Sequence, residues 1–148
     1  MYSAIEAEVP IESDPATTVN EELLNALGAA QRLIVCGQAT SHCCNHTVRD
    51  IVKYCFGKEF VKDRADPDTK KLEETTSRCK PLHLDKPDQI YLLQDCMSDV
   101  TSYEKDGESF FADMEKIGLK LVYHDDPNLF ELPASSAAQP SLGAEENN

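Results

Sequence analysis

The chain has 148 residues, 41% of them hydrophobic, with 27 acidic against 14 basic side chains and a formal net charge of −13. That length suits one domain with a core of its own. The charge argues against a nucleic-acid surface or an anionic membrane surface, both of which need basic patches.

Residues 1–20 are acidic, are interrupted by Pro10 and Pro15, and contain no apolar signal core. No apolar run approaches the length of a membrane span. The six cysteines lack the repeated spacing of a secreted disulfide framework, and Cys36, Cys44 and Cys55 fall at predicted core positions of a strand and a helix. Reduced thiols in a cytoplasmic protein are the expectation.

Residues 1–19 read as an irregular lead-in with a turn at Asp14-Pro15. Thr18 and Glu21 have capping-box spacing, so a helix is predicted from Thr18 as N-cap to about Ala30, with Leu23, Leu24, Leu27 and Ala30 on one face. A strand over 33–36 follows, apolar at every position, as in strands covered by helices on both faces. The next helix is predicted over 41–55, with Cys44, Val48, Ile51, Val52 and Cys55 as its buried stripe and His42, His46, Arg49 and Lys53 on a polar side. Gly57 is its stop.

Residues 58–88 are charged and hold Pro67, Pro81 and Pro87. They read as an insertion or long loop with one short helix around 69–76, placed to cover a site or a partner. A second strand is predicted over 89–96 and a helix over 107–117, with Phe110, Phe111, Met114 and Ile117 turned inward and Gly118 ending it. A third strand spans 119–123. Residues 131–148 read as a disordered tail, because the chain beyond Pro133 has no aromatic residue to offset its ordering entropy.

Strands separated by helices imply right-handed crossovers and an α/β domain with a parallel sheet. Three strands are a poor free-standing sheet. The expectation is therefore an incomplete sheet, either part of a longer domain or half of an assembly with another chain or a second copy.

Cys43 is the first candidate for chemistry. An apolar strand, a glycine turn and a helix start deliver it, and helix-start N–H groups favour a charged sulfur. Two readings stand open: a nucleophile with backbone N–H groups nearby for an oxyanion, or a small hydrophobe, the usual fate of free cysteine. His42 and His46 have i,i+4 spacing that could hold zinc, but a closed site needs four convergent ligands, and Cys43 and Cys44 point in different directions. A solvated helix face is the favoured reading for both histidines. For a general base, Asp95 near the end of its strand is on the correct sheet edge, although a turn or cap carboxylate is the favoured reading. His83 and His124 read as surface residues.

Leu33-Ile-Val-Cys-Gly-Gln-Ala-Thr-Ser-His-Cys43, continuing through Asn45-His-Thr-Val-Arg-Asp50, resembles the nucleophile segment of nicotinamidases in the isochorismatase-like cysteine hydrolase superfamily. Met1-Tyr-Ser-Ala-Ile is similar to their Tyr-Ser-Ala-Phe segment. The resemblance covers about residues 1–125 apart from 58–88. It implies a six-stranded parallel sheet in three layers, a Rossmann-type architecture with helices on both faces. It also implies an Asp, Lys and Cys catalytic unit that converts nicotinamide to nicotinate and ammonia through a cysteine thioester, a step of NAD salvage.

By this resemblance Cys43 is the nucleophile, and the Gln38–Ala39 bond matches a cis peptide that helps aim the N–H groups of Ala39 and Cys43 at the oxyanion. Tyr2 matches a position beside the substrate pocket. The family's Asp, Lys and metal-binding Asp and His residues all precede the Tyr-Ser segment. None is matched here, so the expectation is a C-terminal part, inactive alone and with no metal site or cofactor of its own. Cys44 stands where the family usually has Val. Other members cleave an enol ether or other amides, and the Ser-His-Cys and Asn-x-Thr context favours nicotinamidase among them. Two alternatives stand beside this: a non-catalytic protein acting through association with another chain, and a small zinc module on His42 and His46.

Overall fold

The computed structural model describes residues 3–62, 69–79 and 81–131. Helix α1 spans Glu21–Gly28. Its cap is Asn20, whose side chain accepts from the Leu23 N–H at 3.0 Å. Thr18, the expected cap, instead donates its hydroxyl to the Pro15 carbonyl at 2.9 Å. The lead-in is tied down: Ile5 is buried, its carbonyl accepts from Asn20 N at 2.7 Å, and Ala4 N donates to Thr47 Oγ1.

Strand β1 covers Leu33–Gln38 and helix α2 covers Cys43–Phe56. Val48, Ile51, Val52 and Cys55 are buried as the spacing predicts, and Tyr54 joins them. Cys44 is only half-buried. Gly57 ends α2 in the left-handed conformation, at φ 64° and ψ 36°.

The loop and short helix expected after Gly57 are instead an antiparallel hairpin, β2 over Lys58–Lys62 and β3 over Lys70–Glu74. Strand β4 runs over Ile90–Ser98, helix α3 over Glu104–Ile117 and strand β5 over Lys120–Val122. The chain beyond residue 131, read from sequence as a disordered tail, lies outside the described residues.

The main sheet is parallel, in the order β1-β4-β5. Alternation along its strands makes two faces. Leu33, Val35, Ile90, Leu92 and Leu121 meet the buried residues of α1, α2 and α3 in one core that includes Leu24, Val52, Phe110 and Met114. Fully burying one such side chain is worth about 1.5–3 kcal/mol. The opposite face carries Ile34, Tyr91, Leu93 and Val122, closed by Leu129. Arg32 fixes that closure: its guanidinium lies 4.5 Å from the Tyr91 ring centroid and donates to the Leu129 carbonyl at 2.6 Å. Among the described residues β1 pairs only with β4 and is half-buried, not covered on both faces as its apolar run predicts.

The pairing of β1 with β4 breaks next to the candidate site. Val35 faces Leu92 and Gly37 faces Met97, so Cys36 alone stands against Leu93, Gln94, Asp95 and Cys96. This irregularity leaves Cys36 exposed, contrary to its expected core position. No helix among the described residues is long and apolar enough to cross a membrane.

Candidate active site

The site is built where β1 runs out. Gly37 has φ 119° and the Gln38–Ala39 peptide bond is cis, the bond that the sequence resemblance singles out. Thr40 and Ser41 then turn inward, at 1% and 5% exposure. They stitch the turn to the end of β4: Thr40 N donates to the Ser98 carbonyl at 2.9 Å, and Val100 N donates to Ser41 Oγ at 3.0 Å. Ser41 Oγ also meets His42 Nδ1 at 2.9 Å, and the His42 ring packs edge-on against Tyr103.

Cys43 is the first residue of α2 and is exposed. The carbonyl of Ala39 accepts from both His42 N and Cys44 N at 3.0 Å. Among the described residues the N–H groups of Ala39 and Cys43 have no hydrogen-bond acceptor. One belongs to the turn and the other to the open first turn of a helix, where unsatisfied donors and the helix dipole favour an anion. The arrangement offers an accessible thiol at a helix start, with its own N–H and that of Ala39 in the preceding turn left unengaged among the described residues. Cys44 differs: burial pushes its thiol up, and the thiols of Cys43 and Cys36 add to the effect.

Asp99, not Asp95, is the carboxyl that reaches this turn. It accepts from the Ser41 backbone N–H, and its Oδ1 is buried with no partner among the described residues. A Cβ on Gly107 would stand 2.0 Å from that oxygen, so α3 approaches it closely. Burial, then the charges of Glu104 and Glu108, raise the Asp99 carboxyl above the usual range. No sequence signal marks Asp99, because its bond to the Ser41 N–H comes from a turn distant in the chain.

Asp95 sits inside β4, in the irregular stretch, and pairs with His124. His83 is exposed and its N–H donates to the Gly28 carbonyl. Tyr2 lies outside the described residues. Among the described residues no group of three or more His, Cys, Asp or Glu is arranged to hold a metal ion, so the zinc reading of His42 and His46 gains no third ligand.

Comparison with family models, with curated proteins and with solved structures returned no match.

Proposed function

We propose that the Cys43 turn is the nucleophile element of a nicotinamidase-like amidohydrolase with the isochorismatase-like architecture. The observation that carries this is Cys43 itself, exposed at the first position of α2, with its own N–H and that of Ala39 in the preceding turn unengaged among the described residues. In the reaction the Cys43 sulfur bonds to the amide carbon, and the oxyanion forms beside those two donors. The C–N bond then breaks, ammonia leaves with a proton, and water hydrolyses the thioester to release the carboxylate and restore the thiol. The thiol proton and the ammonia proton need a general acid–base, which the resemblance assigns to an Asp and a Lys with no match in residues 1–148. On this reading the three-stranded sheet is one part of a larger parallel sheet with helices on both faces.

The test uses pyridine-3-carbaldehyde, whose carbonyl forms a thiohemiacetal with a nucleophilic cysteine. The aldehyde is expected to protect Cys43 from iodoacetamide better than benzaldehyde does, and to leave Cys36 and Cys96 unprotected. Equal protection of the three exposed thiols, or equal protection by the two aldehydes, would overturn the reading.

A second reading follows from β1, which is a sheet edge among the described residues. The chain would act through association, with another chain or a second copy pairing along Leu33–Gln38. Sedimentation equilibrium decides it: a monomer at all concentrations without bound partner removes the idea.

A further inference from the structure

Between α2, α3 and the β2–β3 hairpin lies an open cleft of about 370 Å³. Among the described residues its lining carries Arg49, Lys62 and Lys70 against one carboxylate, Asp106. This is a local excess of cations on a chain of net charge −13.

Two features leave positive charge over in the cleft. Asp113 is buried, and a single oxygen of it serves both Arg49 Nη2 at 2.6 Å and Lys70 Nζ at 3.2 Å. Two cations therefore share one carboxylate. Independently, Lys62 and Lys70 are directly opposed in the hairpin register, and both line the cleft. Like charges directly opposite in a sheet are destabilising. An anion between them turns that repulsion into a binding site. Arg49 is pre-aimed, since its Nε donates to Asn45 Oδ1 at 2.6 Å while Nη2 holds Asp113. Ser109, whose hydroxyl accepts from Lys70 Nζ at 2.8 Å, adds a neutral polar wall.

We infer that this cleft binds a small ligand through an oxyanion group, a phosphate or a carboxylate, held by Arg49, Lys62 and Lys70. The volume admits a small metabolite, and charge-assisted hydrogen bonds to such groups are the strong ones. The inference does not rest on the reading of Cys43.

Calorimetric titration of the full chain at constant ionic strength tests it, with inorganic phosphate in one arm and acetate in the other, against chloride. Saturable binding with a Kd of about 1–10 mM is expected in at least one arm, and the arm that binds names the group. The Lys62→Gln, Lys70→Gln double variant should weaken binding about fivefold or more. Lys62→Gln alone, at an exposed strand position, serves if the double variant does not fold. Asp106→Asn should tighten binding by removing the carboxylate of the lining. No saturation by either anion up to roughly 50 mM, unchanged affinity in the lysine variants, or weaker binding in Asp106→Asn would overturn the proposal.

Discussion

His124 and Asp95 are joined twice across 29 residues: the ring Nδ1 meets one carboxylate oxygen, and the His124 backbone N–H donates to the other at 3.0 Å. The contact ties the chain leaving β5 to the irregular part of β4. The hydrogen bond to Asp95 holds the imidazole above its ordinary range, and the same bond from His124 holds the carboxyl below its own. The raised histidine contributes stability below its unfolded value of about 6.5, lost as pH rises through its folded value. The lowered aspartate contributes above its unfolded value of about 3.9, lost as pH falls through its folded value. The pair is therefore fully formed between about pH 4 and 6.5. NMR titration should give His124 a midpoint above the ordinary value, and Asp95→Asn should bring it down. Because the pair is exposed, salt at roughly 0.5 M should shrink the shift. A His124 midpoint indifferent to Asp95→Asn would contradict the contact.

Arg32 is expected to hold the second face of the sheet shut. Its Nη1 donates to the carbonyls of Leu129 at 2.6 Å and Asn128 at 3.3 Å, and its Nη2 donates to that of Glu131. Arg32→Gln removes this fork and the stacking on Tyr91. Local opening of 124–131 should become easier by about 1.4 kcal/mol, a roughly tenfold faster amide exchange there. Exchange in α2 and α3, which face the other core, should not change.

The glycine between α2 and the hairpin should tolerate no side chain. Gly57 has φ 64°, and a Cβ there would meet the Thr75 carbonyl oxygen at 2.3 Å. The left-handed conformation alone costs an ordinary residue about 1–2 kcal/mol, and the clash adds to it. The Thr75 N–H also donates to the Gly57 carbonyl at 2.7 Å, so relief by backbone movement breaks the hairpin's first bond. Gly57→Ala should lower stability by about 2–4 kcal/mol in urea unfolding. A loss under about 0.5 kcal/mol, typical of neutral surface changes, would show that the hairpin is not anchored there.

What was legible in the sequence had a local cause. The stripe Val48, Ile51, Val52 and Cys55 and the stops at Gly57 and Gly118 follow from helical period and glycine. The hairpin was not legible because β3 is exposed throughout, and Lys70, Lys71, Glu73 and Glu74 favour helix as readily as strand. Its cause is cross-strand, with Phe60 against Leu72 and Lys58 against Glu74. Asn20 and Thr18 are both good caps, but the Thr18 hydroxyl is taken by the Pro15 carbonyl three residues back, and Asn20 caps α1. Asp99 at the Cys43 turn and the Arg49–Asp113 pair, 64 residues apart, join elements that only the folded chain brings together. The placement of Cys43 at a helix start was legible because strand, glycine and helix start are contiguous in sequence.

A reactive nucleophile is a lesser demand than a working enzyme. Cys55 and Cys79 are buried beside each other, and burial pushes the Cys55 thiol up to about 12, so both should resist alkylation. Cys36, Cys43 and Cys96 are exposed, and Cys43 alone stands at a helix start, so it should react with iodoacetamide first. Nicotinamide turnover is a stricter demand. General acid–base help is worth about 10²–10⁴-fold, and on the proposed reading the Cys43 turn would supply the thiol and the N–H donors but not the Asp and Lys that the resemblance implies. The 148 residues alone should release no more ammonia from nicotinamide than their Cys43→Ala variant. Turnover lost in Cys43→Ala would keep the nucleophile and require a base within the chain. Asp99→Asn would then be the first variant to measure, since Asp99 is bonded to the turn two residues before the sulfur.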